Sequence, residues 1–308
     1  MKPALIKIAF LILLFPFQNL KAWDHGGHMC VAAIAYTNLK THNPTLIPKI
    51  VSILKKHPDY TSEWKAHIDA SGSDKDLVLF MLAARWPDDI KSWYAKNNAG
   101  EIHRPWHYVN LPISFDGTKG PQPKEGDQDI YQAFKTHLDV LGSSATDEKK
   151  AIALCWVFHL LGDVHQPLHN VALFSKTFLK GDKGGNNFTL LGTPNELHAF
   201  WDDTFLPNGS NIANLDGQWL AKVKTAYNDA MNNNKVTYDP NYSFDYKKVS
   251  NDGKALAQNS VYQFSGKKLV PDNAVPAGYK DAVRKISSKQ IVLAGTRLAE
   301  VLSQKVKK

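Results

Sequence analysis

Apolar residues recur at helical spacing along nearly the whole chain, and this periodicity limits the fold more than any other feature. Clear examples lie at residues 31–39, 46–54, 77–84, 154–161, 220–231 and 282–301. An apolar residue every three or four positions places one apolar stripe along a helix. Alternation typical of strands is scarce, and its best examples are residues 107–111 and 188–191. Loops rich in Gly, Pro, Asn and Lys interrupt the helices at 112–127 and 180–187. The sequence therefore predicts one mainly α domain over residues 23–308, closed by a long C-terminal helix.

Residues 1–22 have the organisation of a secretory signal peptide. Lys2 and Lys7 give a basic start, residues 8–17 are apolar, and Ala22 is a small residue at the expected cleavage position. The apolar run is too short to cross a bilayer as a helix. We expect cleavage after Ala22 and a secreted or periplasmic mature protein. An uncleaved membrane anchor is the alternative.

The composition excludes several classes of protein. Charged residues make up 21% of the chain and hydrophobic residues 43%, which is not typical of disordered, collagen-like or coiled-coil proteins. Two cysteines can form neither a disulfide framework nor a four-thiolate zinc site. The net charge of +8 suits a polyanionic substrate, although this is weak evidence by itself.

Two histidine–aspartate pairs have a spacing that suits metal binding on a helix. His159 and Asp163 form one pair, and His198 and Asp202 form the other. Residues four apart lie on the same face of a helix, so both side chains of a pair can bind one ion. A single pair of this kind is more often a surface hydrogen bond. Two pairs within apolar and aromatic segments indicate metal ligands, because buried imidazoles and carboxylates need partners.

Other polar residues in aromatic surroundings extend this set. His169 lies just beyond the predicted end of the helix that carries the first pair, where it can face a second ion. Asp88 follows Trp-Pro, and His107 lies between Trp and Tyr. Alone, each of these two would fit a helix cap or a core position. His165 lies off the face of the first pair, so we assign it a structural or supporting role.

The start of the mature chain offers a further ligand group. Residues 23–28 read WDHGGH. Cleavage after Ala22 frees the α-amino group of Trp23, whose ordinary pKa of about 8 lets a metal displace its proton. The amine and the carbonyl oxygen of Trp23 can then chelate one ion, with His28 as a further ligand. A disordered new terminus is the alternative.

Taken together, these motifs resemble the S1/P1 nuclease family. Its members are secreted zinc-dependent nucleases and 3′-nucleotidases with a mainly α-helical, single-domain fold like that of zinc phospholipase C. The matching motifs are W-x4-H at 23–28, W-P-D at 86–88, W-H-Y at 106–108, H-x3-D-x5-H at 159–169, G-G-N at 184–186 and H-x3-D at 198–202. Asp24 departs from the family's opening motif, which has glycine at that position. All nine ligand positions of the family hold the expected residue type, in order.

The resemblance implies three zinc ions and a nuclease activity. The first ion would be bound by Asp88, His107, His159 and Asp163, the second by Trp23, His28 and a shared Asp163, and the third by His169, His198 and Asp202. The implied substrates are single-stranded DNA and RNA, cleaved to 5′-phosphorylated products, and 3′-mononucleotides. The implied protein is a monomer without a stable protein partner.

The resemblance also implies roles for residues around the zinc ligands. Tyr108 would stack on a base, while Asn186 and Asp182 would form hydrogen bonds with a base edge. Lys91 occupies the position at which the family often has a phosphate-contacting arginine. A lysine keeps the positive charge of that arginine but cannot make its bidentate contact. Asn110 stands where fungal members have an acidic residue. Its amide can orient the attacking water but cannot take its proton. With Asp88 and Asp163, Lys91 and Asn110 complete the predicted catalytic set.

Two other functions remain open on the sequence. Zinc phospholipases C space their N-terminal Trp further from the first histidine and end in H-x3-E, so the short spacing and Asp202 favour the nuclease. The other alternative is a secreted protein that binds metal or nucleic acid without catalysis. Cys30 and Cys155 each lie one turn from a predicted ligand, which leaves both a single disulfide and two buried thiols open.

Overall fold

The computed structural model describes residues 23–92, 103–206 and 209–306. The predicted signal peptide, residues 1–22, lies outside the described residues. Within the described ranges the protein is mainly helical, which confirms the predicted fold class. The helices are α1 (His25–His42), α2 (Leu46–Leu54), α3 (Lys65–Ala70), α4 (Lys75–Ser92), α5 (Ile130–Gly142), α6 (Asp147–Asp163), α7 (Leu197–Phe205), α8 (Gly209–Asn214), α9 (Trp219–Asn233), α10 (Tyr246–Leu256) and α11 (Tyr279–Lys305). Among them, none is long and apolar enough to cross a membrane.

Helix α1 lies at the centre of the helical packing, against α4, α6, α9 and α11. It begins after Asp24, whose carboxylate accepts the N–H of Gly27 at 3.1 Å and so caps the helix. Residues 25–35 are all buried, as expected for a helix surrounded by other helices. Gly295 of α11 allows a close approach, because a Cβ there would lie 2.5 Å from the Cβ of Ile34.

Four short strands accompany the helices in the described part of the chain. Strand β1 (Leu111–Ile113) pairs in parallel with β2 (Val171–Leu173), and β3 (Gln263–Phe264) pairs antiparallel with β4 (Lys267–Lys268). The strands predicted at 107–111 and 188–191 are therefore wrong in position. His107 closes a 3₁₀ turn, Arg104–His107, and residues 188–191 contribute only isolated bridges. The alternation at 107–111 therefore reflects the burial of individual side chains rather than a ladder.

The β1–β2 pair brings two distant turns together. The turn Arg104–His107 precedes β1, and the 3₁₀ turn Pro167–Asn170 precedes β2. The backbone N–H of Val109 donates to the carbonyl oxygen of His169 at 2.8 Å. The Nδ1 atom of His169 donates in turn to the carbonyl oxygen of His107 at 2.6 Å. Both predicted ligands therefore lie just beyond the C-terminal end of α6.

The buried apolar residues form two clusters. The larger cluster lies between the helices that surround α1, and the smaller one surrounds β2, α7 and the start of α11. In the smaller cluster, the indole of Trp201 donates to the hydroxyl of Tyr279 at 2.9 Å, and that hydroxyl donates to the carbonyl oxygen of Val261 at 2.6 Å. These bonds fix α7, which carries the second histidine–aspartate pair, against α11.

Both cysteines are buried, and each is a thiol rather than half of a disulfide. Of the two alternatives left open by the sequence, the structure therefore has separate thiols. Burial raises the pKa of the Cys30 thiol well above its ordinary value, so this side chain stays protonated. Its sulfur lies 3.8 Å from the carbonyl oxygen of Val223 in α9.

Candidate metal centre

The first group of predicted ligands converges from three separate elements. Asp88 lies in α4, His107 closes the turn before β1, and His159 and Asp163 lie one turn apart near the end of α6. The Nε2 atom of His159 lies 2.9 Å from Nδ1 of His107, and Oδ2 of Asp163 lies 3.0 Å from that same Nδ1. Asp88 places Oδ1 3.6 Å from Nε2 of His159. The donor atoms of Asp88, His107 and His159 lie within 4.8 Å of one another, and Oδ2 of Asp163 lies within 3.2 Å of the two imidazoles.

His28 adds a second group on the other side of Asp163. Its Nε2 atom lies 3.4 Å from Oδ1 of Asp163, and its ring stacks on that of His159 with centroids 3.8 Å apart. The two oxygens of Asp163 therefore face two different groups of nitrogens. Trp23 lies nearby and is fully buried, and its indole N–H donates to the carbonyl oxygen of Gly162 at 3.1 Å. Trp23 therefore packs against α6, beside the second ligand group.

The third group combines the turn after α6 with helix α7. The Nε2 atoms of His169 and His198 lie 3.1 Å apart, and Oδ2 of Asp202 lies 3.4 Å from Nε2 of His198. The other carboxylate oxygen of Asp202 accepts a hydrogen bond from the side-chain amide of Gln166 at 2.7 Å. The i, i+4 spacing within α7 thus presents both side chains to the same point, as the sequence predicts.

Backbone carbonyl groups fix the orientation of three of these imidazoles. His159, His169 and His198 donate their Nδ1–H to the carbonyl oxygens of Ala84 at 2.9 Å, His107 at 2.6 Å and Gly184 at 2.6 Å. The first carbonyl lies beside an irregularity in α4, since Pro87 within this helix cannot donate to residue 83. With Nδ1 protonated, Nε2 of a neutral ring carries only a lone pair, which is the tautomer that a metal ion needs.

The arrangement fits a bound cation. Burial lowers the pKa of His28 to about 4 and that of His107 to about 3, so both rings are neutral near neutral pH. Burial likewise lowers the pKa of His169. Two neutral imidazole nitrogens that face each other at 3.1 Å repel, unless a cation lies between them. Metal–nitrogen bonds of about 2.0–2.1 Å at a tetrahedral ion would place such nitrogens about 3.3 Å apart.

The pKa values of two carboxylates of the centre, Asp88 and Asp202, are shifted in opposite directions. Burial alone would raise the pKa of Asp88, but the nearby Lys91 and the imidazoles hold it well below its ordinary value. Lys91 donates to Oδ1 of Asp88 at 2.7 Å, while Oδ2 is buried without a hydrogen-bond partner among the described residues. Burial raises the pKa of Asp202 well above its ordinary value. A cation beside Asp202 would offset that cost and keep the carboxylate ionised.

The centre opens into one cavity, which we call the central cavity. Its walls include the ligands His107, His169 and His198. Its other lining residues are Lys91, Arg104, Tyr108, Asn110, Leu168, Lys183, Gly184 and Asn186. Three of these are basic and none is acidic, so the cavity favours an anionic ligand. The predicted positions of Lys91, Tyr108, Asn110 and Asn186 thus all border the cavity, although their roles stay predictions.

Asp182 requires a correction. We predicted from the sequence that its carboxylate forms a hydrogen bond with the edge of a substrate base, but the side chain is fully buried. It accepts the N–H of Leu173 at 2.8 Å and the hydroxyl hydrogen of Tyr262 at 2.5 Å. Asp182 therefore anchors the glycine-rich loop rather than contacting a ligand. Gly184 in that loop has φ +60°, and a Cβ there would lie 2.4 Å from the carbonyl oxygen of Leu168, so only glycine fits.

Sequence reasoning missed two basic residues at the cavity, Arg104 and Lys183. Arg104 lies three residues before His107, and Lys183 lies directly before the two glycines. Lys183 adopts a left-handed backbone with φ +56°, which is uncommon for a residue with a side chain. A basic residue adjoining a ligand motif was the available signal in both cases.

Comparison with known proteins places this geometry in context. The family model described as S1/P1 Nuclease matches residues 23–307. Endonuclease 1 of Arabidopsis thaliana is 23% identical over 210 residues, covering 64% of this chain and 58% of that protein. Nuclease S1 of Aspergillus oryzae is 26% identical over 196 residues, covering 60% of this chain and 55% of that protein. These alignments span little more than half of the relatives' length. The alignment with Endonuclease 5 of Arabidopsis thaliana, at 23% identity, covers 96% of this chain and 95% of that protein.

Proposed function

Because this chain belongs to the S1/P1 nuclease family, we propose that it is a secreted, zinc-dependent endonuclease that acts on single-stranded DNA and RNA. It hydrolyses phosphodiester bonds to leave 5′-phosphorylated products, and it removes phosphate from 3′-mononucleotides. One observation carries the proposal: of three buried histidine–aspartate groups, two contribute imidazoles to the wall of one cavity, and the other charged residues that line this cavity are all basic. The relatives' names, endonuclease and nuclease, agree with this reaction.

Three zinc ions are the proposed cofactors. Imidazole nitrogens and carboxylate oxygens are ligands that zinc prefers, and the ligand set here contains both. When bound, zinc supplies Lewis-acid stabilisation for the negative charge that develops during phosphodiester cleavage. The chain itself contributes the fixed geometry, because backbone carbonyls hold the imidazoles in the binding tautomer.

The lining of the cavity accounts for the proposed substrate. Lys91, Arg104 and Lys183 supply positive charge for phosphodiester oxygens. Tyr108, which directly follows a metal ligand and is half-buried, offers a ring on which a base can stack. Asn186 lines the same cavity and can form hydrogen bonds with a base edge. A base on Tyr108 must first leave its own stack, which favours single strands over duplexes.

Two side chains are proposed to handle the attacking water. Asn110 is exposed at the cavity, and its amide can orient a water molecule without accepting its proton. Asp88 offers Oδ2 as an acceptor for a hydrogen bond from that water, since Lys91 already holds Oδ1. Asp163 instead links the two neighbouring ligand groups, because Oδ1 faces His28 and Oδ2 faces His107.

The cellular setting is part of the same proposal. Removal of residues 1–22 frees Trp23, whose buried indole already fixes this residue beside the ligands. A monomer is sufficient for activity, because every proposed ligand and lining residue belongs to one chain. Export then delivers the enzyme to the periplasm or the medium.

The decisive assay compares two reactions of the zinc-loaded mature protein. We expect release of acid-soluble nucleotides from denatured DNA and from RNA, and little release of phosphocholine from phosphatidylcholine. Asp163→Asn should abolish nucleotide release, while His42→Gln, at an exposed position outside the centre, should retain it. Dominant phosphocholine release would instead identify a zinc phospholipase C. A zinc-loaded protein inert on both substrates would be a binding protein.

A further inference from the structure

Three large aliphatic side chains are exposed on the described surface: Leu179 by 72%, Leu191 by 70% and Val270 by 57%. Every other large hydrophobic side chain that the structure describes is buried or partly buried. Single exposed leucines are common and need no explanation. These three residues, however, belong to loops that meet at one place.

The loops surround a small recess lined by aromatic and apolar residues. Its walls include Phe115, Phe178, Phe188, Tyr262, Leu269 and Pro271. Leu179 directly follows one of these walls, and Val270 lies between two others. The backbone N–H of Leu191 donates to the carbonyl oxygen of Asn273 at 3.0 Å, which ties the third loop to the segment that follows Val270. The exposed aliphatic residues therefore share one face.

Lysines are interleaved with these aliphatic residues. Four exposed lysines lie in the same loops: Lys176, Lys180, Lys267 and Lys268. Two exposed carboxylates, Asp116 and Asp272, lie among them, so the lysines outnumber the carboxylates by two. Both carboxylates accept hydrogen bonds from neighbouring groups. Asp116 accepts the N–H of Lys176 at 3.0 Å, and Asp272 accepts the hydroxyl hydrogen of Thr189. The face is thus apolar at its loop tips and positive between them. We call it the basic–apolar face and define it as residues 176–180, 191 and 267–270.

We propose that the basic–apolar face docks the protein on an anionic lipid surface. Aliphatic side chains at loop tips can enter the boundary between headgroups and acyl chains, while neighbouring lysines attract acidic headgroups. Nucleic acid fits this face less well, because base stacking needs an open aromatic ring. The ammonium group of Lys268 lies over the ring of Phe115, 5.2 Å from its centroid, and covers that ring.

The glycine-rich loop connects the face to the central cavity. Asp182 forms a hydrogen bond with Tyr262 of the recess, while the next two residues, Lys183 and Gly184, line the cavity. Phe188, at the other end of this loop, is again a wall of the recess. Docking would therefore hold the central cavity beside the lipid surface, so that substrates close to a membrane are favoured.

Co-sedimentation with lipid vesicles tests the proposal on the full mature chain. We expect binding to vesicles of phosphatidylcholine mixed with phosphatidylglycerol, and weak binding to phosphatidylcholine alone. The triple variant L179S/L191S/V270S should lose about tenfold or more in affinity, because the buried aliphatic area is removed. K267Q/K268Q should lose the preference for anionic vesicles. K55Q/K56Q changes the net charge equally at exposed positions of the α2 end and should bind as the wild type does.

The vesicle-binding outcomes do not depend on the proposed enzymatic activity, because no nucleic acid is present in that assay. Affinity for an oligonucleotide is measured separately, with chelator present. A wild-type protein that fails to sediment with anionic vesicles overturns the proposal. So does a triple variant that binds as tightly as the wild type. If the triple variant keeps vesicle binding but loses affinity for a single-stranded oligonucleotide, the face is a nucleic-acid surface instead. Thermal unfolding of each variant confirms that the changes, all at exposed positions, leave the fold intact.

Discussion

The Nε2 atoms of His169 and His198 lie 3.1 Å apart, although each ring already donates its Nδ1–H to a backbone carbonyl group. When both rings are neutral, two lone pairs face each other in this buried site, and a cation shared between them would stabilise the arrangement. Asp163 has a different geometry, since its two oxygens face two separate groups of imidazoles. The two arrangements predict different losses when a ligand is replaced.

We expect His198→Phe to lose one zinc ion per chain and Asp163→Asn to lose two. In Asp163→Asn, the carboxylate charge shared by two sites disappears, so neither site keeps full affinity. Zinc content measured by atomic emission after dialysis gives the count. His165→Gln is a matched control, because His165 is buried but bonded to the carbonyl oxygen of Leu161 at 2.7 Å and to Arg297, away from the ligands. Equal zinc loss in the first two variants would contradict the shared role of Asp163.

His57 predicts a measurable dependence of stability on pH. Burial lowers its pKa to about 3, against about 6.5 in an unfolded chain. Its Nδ1 accepts the N–H of Asp59 at 3.1 Å, and its ring stacks on Trp64 with centroids 4.4 Å apart. Below about pH 6.5, His57 binds a proton in the unfolded chain but stays neutral in the folded chain. The free energy of unfolding therefore falls as the pH falls toward 3.

His57→Gln keeps a hydrogen-bond acceptor but does not titrate. Between about pH 6.5 and pH 4.5, we expect this variant to lose about 2–3 kcal/mol less of its free energy of unfolding than the wild type. Urea unfolding of both proteins across that range, with chelator present throughout, measures the difference without a contribution from metal release. Identical pH dependence in the two proteins would show that His57 has the same pKa in the folded and unfolded chains.

The proposed stacking of a base on Tyr108 leads to a prediction about KM. Its ring borders the central cavity directly after a metal ligand. We expect Tyr108→Ala to raise KM for single-stranded oligonucleotides about fivefold to a hundredfold, because a stacked base contributes about 1–3 kcal/mol. Zinc content should not change. Tyr108→Phe retains the ring and should keep a KM near the wild-type value. Loss of kcat with an unchanged KM in Tyr108→Ala would contradict the stacking role.

Arg104 and Lys183 predict how affinity responds to salt. If each contacts one phosphate, replacing either by Gln should lower the slope of log KM against log salt by about 0.7 for single strands. Steady-state rates on one oligonucleotide over a range of salt concentrations give the slope. Lys49→Gln, on helix α2 away from the cavity, is the control and should leave the slope unchanged. An unchanged slope in both cavity variants would remove these residues from the substrate site.

The positions of the predicted ligands could be derived in part from the sequence, because they follow from local geometry. The i, i+4 pairs depend only on helix period, and His169 depends only on where α6 ends. The spacing of the motifs does not predict that His107 and His169 lie side by side. Their proximity depends on the parallel pairing of Leu111 with Val171, which are 60 residues apart. That part of the prediction came from the resemblance to a known family.

The substrate residues were harder to predict, because exposure depends on tertiary packing. Asp182 and Lys183 are neighbours, yet the first is buried against Tyr262 and the second lines the cavity. The partner of Asp182 lies 80 residues away, so no local pattern shows that the carboxylate is already engaged. Polar residues in a motif loop thus reveal the site, but not which of them face a ligand.

Trp23, the residue that follows the proposed cleavage site, is the subject of the last prediction. Trp23 is fully buried, and its indole is bonded to the carbonyl oxygen of Gly162, the residue before Asp163. His28 lies equally close, since a Cβ on Gly162 would come within 2.8 Å of its Nδ1. Residue 23 is therefore fixed beside the second ligand group, where a free α-amine can bind a metal ion. An upstream residue converts that amine into an amide, which is a poor ligand unless it loses its proton.

We therefore expect protein made in the cytoplasm with Met before Trp23 to be folded, short of one zinc ion and nearly inactive. Protein exported and cleaved after Ala22 should carry the full complement and be active. N-terminal sequencing identifies each preparation, and zinc content and nuclease rate are measured on both. A cytoplasmic fusion cut by a protease directly before Trp23 separates the effect of the amine from that of export, and it should regain both zinc and rate. Full zinc and full rate in the Met-extended protein would leave His28 and Asp163 to hold that ion without the terminus, and export would then not be a step in activation.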